Sequence, residues 1–438
     1  MGQSVLTPAA RHADSAALLA DAGLVRDGAS LIMAGVPLSR IADEIGTPAY
    51  VYNAESIRAR YTELDTALAG VPHRICYAVK ANGNLAVLRV LRDLGAGADI
   101  VSAGELARAL AAGYTADRVV FSGVGKTAAE LRIAVRARVG HINVESLEEL
   151  ALLGGVASEE GIPVSLCIRV NPDVTTETHP YISTGRSGIK FGVPTDQVGT
   201  AAAMIGAHPL LTLSGIAMHL GSQLTSTAPF LEGITRLLEL IREVRSTGID
   251  TLRVLDIGGG LGIRYGGNGP MDVREFAAAV VSVLAPTGLT VYLEPGRFLV
   301  GSAGVLLGTV LYRKHSGGKS FVITDVGMND LVRPSHYQAY HEIVELELAT
   351  RDRITVDVVG PVCETGDFIA LDRELPALER GERIAVLGAG AYGFVMASNY
   401  NARGRPPEVL VDHGRFAIAR RRESAADLFA GETATPLG

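Results

Sequence analysis

The stretch Arg74-Ile75-Cys76-Tyr77-Ala78-Val79-Lys80-Ala81-Asn82-Gly83-Asn84 decides how the chain is read. Arg74–Val79 is mostly apolar and rich in strand formers. Ala81-Asn82-Gly83-Asn84 then breaks the run, and a helical spacing of apolar residues begins at Leu85. This order puts Lys80 at the C-terminal mouth of a buried strand, its stem covered and its amine aimed above the sheet. Burial among apolar walls lowers an amine pKa, and a neutral amine attacks a carbonyl to give a Schiff base. Taken alone, the stretch fits a lysine snorkelling from a strand end at least as well.

Outward from Lys80 the same unit recurs. The apolar runs are Arg74–Val79, Ala98–Val101, Arg118–Ser122, His141–Val144, Val164–Val170, Gly215–Leu220, Val254–Ile257 and Val291–Leu293. Amphipathic segments such as Leu85–Leu94, Gly104–Ala112, Leu147–Leu153, Phe230–Arg245 and Val273–Leu284 separate them. Helical crossovers imply parallel strands. Eight units over about 220 residues predict an α/β fold, a (β/α)8 TIM-type barrel spanning residues 48–300; a doubly wound sheet is the alternative, with fewer strands expected. A barrel gathers its chemistry at the C-terminal strand ends. The exits here are Lys80; Ser102; Ser122; Glu145; Arg169-Val170-Asn171; His219-Leu220-Gly221-Ser222; Asp256 to Gly260; and Glu294 to Arg297. The insertion Pro172–Val193, with His179-Pro180-Tyr181, reads as a rim loop.

After Arg297 the rhythm changes. Val305–Tyr312, Ser320–Asp325, Ile343–Leu348, Ile354–Val359, Phe368–Leu371 and Arg383–Leu387 are β-like, with little helix between them. Residues 301–438 are therefore expected to form a second, mostly β domain. It is joined by the lead-in 1–47, where Ile41–Ile45 reads as a short helix. Ala49-Tyr50-Val51-Tyr52 reads as a strand. The first 20 residues or so and the last dozen are expected to be frayed.

Hydrophobic residues make up 47% of the 438 and charged residues 20%, enough for a large core. The formal net charge of -7, without a long basic run, argues against a nucleic-acid partner. No leader pattern or membrane-length apolar run is present, so the chain is read as soluble and cytoplasmic with no membrane partner. Three cysteines are too few for a disulfide framework; Cys76 and Cys167 read as core, Cys363 as a loop residue. Only five of the 40 cationic residues are lysines (Lys80, Lys126, Lys190, Lys314 and Lys319), which favours amine chemistry where a lysine does occur.

Three exits carry complementary chemistry. In Gly258-Gly259-Gly260-Leu261-Gly262, backbone amides can close on a phosphate, although a simple tight turn fits equally. Glu294 can keep a pyridine nitrogen protonated, making the ring an electron sink, or it is a turn glutamate. His219 can lie flat on an aromatic ring, or is satisfied in the core. An amine for an aldehyde, glycines for a phosphate and a carboxylate for a ring nitrogen together describe pyridoxal 5'-phosphate. No metal is expected.

At this point the chain resembles the diaminopimelate decarboxylase family, in the alanine-racemase-like class of pyridoxal-phosphate enzymes. The matching motifs are Tyr77 to Asn82, His219 to Gln223, Asp256 to Gly262, Glu294 to Arg297, Met328 to Pro334, Tyr337 to His341, Cys363 to Asp367 and Gly390 to Gly393. They span about residues 48 to 412. The resemblance implies that Lys80 holds the cofactor as a Schiff base. It implies that His219 stacks on the ring with Ser222 nearby, and that Glu294 pairs with the ring nitrogen. Gly258, Gly259 and Gly260 would hold the cofactor's phosphate, helped by Arg297 and Tyr392, and Gly296 would also contact the cofactor. Arg297, Arg333, Tyr337 and Tyr392 would bind substrate, Glu364 its far ammonium, and Cys363 would donate the proton. Cys363 and Glu364 would act across a homodimer. The implied reaction is decarboxylation of meso-2,6-diaminopimelate to L-lysine and carbon dioxide, the last step of lysine biosynthesis. Phe298 stands where a smaller residue is expected and would trim the pocket.

The alternatives are related decarboxylases of ornithine, arginine, carboxynorspermidine or a carrier-bound amino acid, a racemase, and a non-catalytic cofactor-binding protein. Glu294 argues against a racemase. Glu364 and Arg333 argue against substrates that lack a far carboxylate. Gly388 to Gly393 imitates a dinucleotide fingerprint, but too little chain follows it for a βαβ unit. Gly125-Lys126-Thr127 imitates the end of a phosphate loop without its first glycine.

Overall fold

Eight short apolar runs close on themselves. The computed structural model describes residues 15–174, 188–267 and 269–434, and the chain divides into two compact units. The first comprises residues 58–263 and 270–299. Its strands are His73–Ala78, Gly97–Ile100, Val119–Phe121, His141–Val144, Val164–Arg169, Leu211–Ala217, Val254–Asp256 and Thr290–Leu293. They form a closed barrel of parallel pairs, shut where Val291 registers with His73. Cys76, Val120, Cys167, Ala217, Val254 and Tyr292 form one buried cluster inside it. Burial pushes both thiols well above the ordinary cysteine value.

Polar residues at the strand exits double as helix caps, which keeps the exit loops short. Asn84 accepts from the Ala86 N–H, Ser102 from Glu105 and Ser146 from Glu149. Thr127 and Glu130 form a reciprocal capping box on Ala128–Ala137. The insertion after the fifth strand leaves and returns at one point: Asn171 N–H bonds to Val193 O, and Val193 N–H to Arg169 O at 2.7 Å. Its middle, with His179-Pro180-Tyr181, lies outside the described residues.

The second unit comprises residues 1–57, 264–269 and 300–438. Its large sheet runs in the order Phe368–Pro376, Arg353–Val359, Lys319–Thr324, Gly304–Ser316, Ala49–Asn53, Glu408–Asp412 and Arg415–Arg420. Arg383–Val386 also pairs with Gly304–Ser316. One sequence expectation is corrected here. Ala49–Asn53, assigned to the barrel's span, is a central strand of this sheet, antiparallel to Gly304–Leu307 and parallel to Glu408–Val411. All five of its residues are buried, and Val51 packs in one cluster with Val305, Leu307, Val409 and Val411. A strand covered on both faces reads alike in a barrel or a sheet centre. Two further expectations are corrected. The lead-in contains the helix Ser15–Asp21, fixed by buried Leu18, and the strands Leu24–Asp27, Ser30–Met33 and Val36–Pro37. Near the C-terminus, a capping box of Ser424 and Asp427 starts the helix Ala425–Leu428, whose last two residues fall within the dozen expected to be frayed.

Candidate active site

The barrel exits converge on a buried polar cluster. The first strand ends at Ala78, and a 3-10 turn, Val79–Ala81, delivers Lys80. Its Nζ lies 2.9 Å from Asp99 Oδ2 on the second strand, and Asp99 is wholly buried. The amine's neighbour is thus a carboxylate rather than the apolar wall expected. The eighth exit adjoins the first: Ala78 N–H bonds to Pro295 O, and a Cβ on Gly296 would lie 2.8 Å from the Ala81 Cβ.

Glu294 follows the eighth strand directly. Its Oε1 accepts from Ser122 Oγ at 3.1 Å and from Asn143 Nδ2 at 3.2 Å, while Asn143 also donates to Ser122. Burial, then the neighbouring Asp256 and Asp99, push the Glu294 carboxyl well above its ordinary value, with Lys80 opposing. Burial also raises Asp256, whose Oδ1 accepts the Gly258 N–H at 2.8 Å. Asp99 Oδ1 and Asn143 Oδ1 are buried acceptors without a hydrogen-bond partner among the described residues, and Asp256 interacts with the proton-holding Glu294 carboxyl. Such acceptors, beside a carboxyl that has a proton to share, suit a basic ring nitrogen that is kept protonated there.

The sixth and seventh exits are clamped together. Leu224 bridges to Leu261, and Ile263 N–H donates to Gln223 Oε1 at 3.3 Å. Gly258 and Gly260 take φ of 72° and 99°, and a Cβ on Gly259 would lie 2.1 Å from Glu294 O. Only glycine fits that turn, and its amides suit an anion. The Gly259 N–H donates to His219 Nδ1 at 3.1 Å, which leaves the ring's single N–H on Nε2. Burial, then Arg169 and Lys80, hold His219 well below the ordinary value of 6.5, so its ring is neutral. Arg297 opens the short helix Arg297–Val300 and donates from Nη2 to Ser222 Oγ at 3.2 Å. Phe298 is buried, with the Arg60 guanidinium 5.7 Å above its ring.

The barrel unit therefore brings Lys80, His219, Ser222, Gly258, Gly259, Gly260, Glu294, Gly296 and Arg297 to one end. Sequence reading missed Asp99 and Asn143. The signal was a lone polar residue inside each apolar run. It named Glu145 and Arg169 as exits without giving them a role. Arg169 Nη1 lies 2.6 Å from Glu145, which also accepts the Gly123 and Gly192 N–H groups. The phosphate-loop mimic is a structural device. Lys126 Nζ is buried and lies 2.7 Å from each of Gly123 O, Asn143 O and Glu149 Oε1. In the other unit, Gly388 to Gly393 leads into the 3-10 turn Phe394–Met396, not a dinucleotide-binding helix.

The remaining candidates, Arg333, Tyr337, Cys363, Glu364 and Tyr392, lie in the β unit. Arg333 and Tyr337 share the helix Arg333–Tyr337. The Arg333 guanidinium donates to His341 Nε2 at 2.7 Å and sits 4.5 Å from the Tyr265 ring centroid, while His341 Nδ1 donates to Leu387 O. Cys363 and Glu364 occupy an exposed turn. Tyr392 is partly buried, with φ 55°.

The closed parallel barrel, with an amine, a glycine turn and a proton-holding carboxyl at one end, defines a pyridoxal-dependent enzyme. The family profile "Pyridoxal-dependent decarboxylase, pyridoxal binding domain" matches residues 54–301, and the chain is a pyridoxal-phosphate-dependent lyase. The diaminopimelate decarboxylase of Pseudomonas aeruginosa is 50% identical over 408 residues, 93% of this chain and 98% of that protein. That of Vibrio cholerae is 46% identical, covering 92% and 96%. Solved diaminopimelate decarboxylases complexed with L-lysine superpose closely. The Helicobacter pylori structure gives a TM-score of 0.87 at 38% identity, covering 90% of this chain and 99% of that one. The M. jannaschii structure gives 0.89 at 35%, covering 94% and 98%. The chain belongs to the diaminopimelate decarboxylase family.

Proposed function

We infer that the chain catalyses the decarboxylation of meso-2,6-diaminopimelate to L-lysine and carbon dioxide, the last step of lysine biosynthesis. One observation carries the reading: a lysine, a neutral histidine, a glycine turn and a high-pKa carboxyl meet at the strand exits of a chain half identical to a family member.

Bound pyridoxal 5'-phosphate supplies an aldehyde that takes up the substrate amine and a ring that accepts electrons from the breaking carbon–carboxylate bond. Lys80 would hold the cofactor through its amine and would compete with the product amine for it. Glu294, braced by Ser122 and Asn143, keeps the ring nitrogen protonated. His219 offers the ring a flat, uncharged face that does not repel that proton. The Gly258-Gly259-Gly260 amides receive the phosphate, with Gly296, Ser222, Arg297 and Tyr392 completing the hold. Arg297, Arg333 and Tyr337 would bind the substrate's far carboxylate and Glu364 its far ammonium, with Tyr392 bordering the substrate. These contacts would orient the substrate's reacting end, so they would govern rate as well as affinity. Cys363 returns a proton to the carbon that has lost its carboxylate. Cys363 and Glu364 serve the site of a second subunit, making the working unit a homodimer in the cytoplasm. Among the described residues, no helix is long and apolar enough to cross a membrane.

The test is lysine release from meso-diaminopimelate beside LL-diaminopimelate, ornithine and arginine, with Lys80→Ala as control. Release from the meso isomer alone, lost in Lys80→Ala, is the expected result. Cofactor colour without release from any of the four overturns the substrate reading.

A further inference from the structure

The turn from Val362 to Asp367 carries Cys363 and Glu364 outward, and exposed side chains alone do little to fix it. Asp367, buried, holds its inner side: its two oxygens accept the Met328 and Val362 N–H groups, each at 2.6 Å. The outer side meets a second turn, residues 399–402. Asn401 Oδ1 accepts the Cys363 N–H at 2.7 Å, and the nearby Glu364 carboxylate pushes the Tyr400 hydroxyl above its ordinary pKa. This second turn is itself anchored. Glu423 accepts from Asn399 Nδ2 at 2.7 Å, from Arg405 N at 2.9 Å and from Arg405 Nε at 2.8 Å.

Its backbone is unusual. Asn401 and Ala402 take consecutive positive φ values of 53° and 54°. Asparagine tolerates that region, but a residue such as alanine loses roughly 1–2 kcal/mol there. Strain of this kind persists only where surrounding bonds over-determine it. Here it turns the Asn401 carboxamide onto the main chain of the residue read as the proton donor.

We propose that Asn401 is a positioning residue for the Cys363 proton transfer. It fixes the Cys363 main chain so that the thiol meets the reacting carbon in one orientation. The proposal rests on the reading of Cys363 as proton donor.

The test uses holoenzyme with meso-diaminopimelate. Asn401→Gly keeps the left-handed backbone and removes the acceptor; Asn401→Asp keeps both. Donor misplacement lowers kcat, so Asn401→Gly is expected to lose about tenfold in kcat with KM within about twofold, while Asn401→Asp stays within about threefold of wild type. Cys76 and Cys167 are buried, so iodoacetamide reads Cys363, and its alkylation is expected to be at least about threefold faster in Asn401→Gly. In a Cys363→Ala background, Asn401→Gly is expected to add less than about twofold, because residues acting as a unit are non-additive. Unchanged kcat and alkylation in Asn401→Gly overturn the proposal, as does an equal loss in both backgrounds, which marks a general structural contribution. Full turnover in Cys363→Ala alone refutes the proton-donor reading, and the proposal falls with it. Should Asn401→Gly not fold, Asn401→Ser, too short to reach the Cys363 amide, carries the same comparison.

Discussion

Replacing Lys126 by methionine tests whether the barrel's polar frame depends on one buried cation. The Lys126 side chain is fully enclosed, its partner Glu149 nearly so, and the amine also serves Gly123 O and Asn143 O. Removing one partner of a buried pair costs about 3–5 kcal/mol, and two carbonyls losing a donor add roughly 1 kcal/mol each. The expected loss for Lys126→Met is therefore about 5–7 kcal/mol, or on the order of 10 °C or more in Tm for a barrel of this size. Lys126→Met/Glu149→Leu removes the stranded carboxylate and should recover all but about 2 kcal/mol. The sign with pH is fixed too. Burial already raises the Glu149 pKa against the pull of Lys126, and without the lysine it rises further. Between its unfolded value near 4.3 and that raised value, the folded state binds the extra proton. Its stability therefore falls as pH rises. The deficit of Lys126→Met relative to wild type should be larger at pH 8 than at pH 5. Urea unfolding at the two pH values measures it. A loss under about 1 kcal/mol, or a deficit independent of pH, refutes the frame.

Other outcomes are as definite. Glu294→Gln should lower kcat by roughly a hundredfold or more while cofactor is retained, because an amide cannot keep the ring nitrogen protonated; steady-state kinetics with an absorbance check on cofactor content decides it. Gly259→Ala places a Cβ where the Glu294 carbonyl lies 2.1 Å away, so cofactor affinity should collapse in a spectral titration of the apoprotein. His219 is neutral well below pH 6.5, so the acid limb of kcat/KM should keep its midpoint in His219→Phe even as its height falls; a shifted midpoint would assign that limb to His219. The same depressed value makes the folded state lose stability as pH drops below 6.5, since the unfolded histidine then binds a proton that the folded one refuses.

The barrel was legible because each strand is a brief apolar run ended by a polar residue that also starts the next helix; Ser102 and Ser146 show both duties. Ala49–Asn53 was not, because five buried residues record neither partner nor register. In the site, Lys80, Glu294 and the glycine turn stood out as breaks in an apolar pattern. Asp99 and Asn143 were passed over because they sit within runs whose neighbours are apolar, where only the pairing of strands reveals what they face. Arg333 was legible as a cation only. Its stacking on Tyr265 and its bond to His341 join segments that sequence spacing cannot connect. Roles for Cys363 and Glu364 came from family likeness alone, since an exposed turn carries no periodicity.

The fifth exit has a consequence for how such a chain can change. The segment between Asn171 and Val193 departs and returns through paired backbone bonds beside Arg169. Those bonds fix the two stumps whatever lies between them. Closing a longer excursion adds only about 0.6 kcal/mol for each doubling of its length. The bridge therefore works as a socket: a segment of different length or composition can be exchanged there without shifting the register of the fifth and sixth strands. Variation in this part of the rim is thereby uncoupled from the sheet that holds the cofactor end.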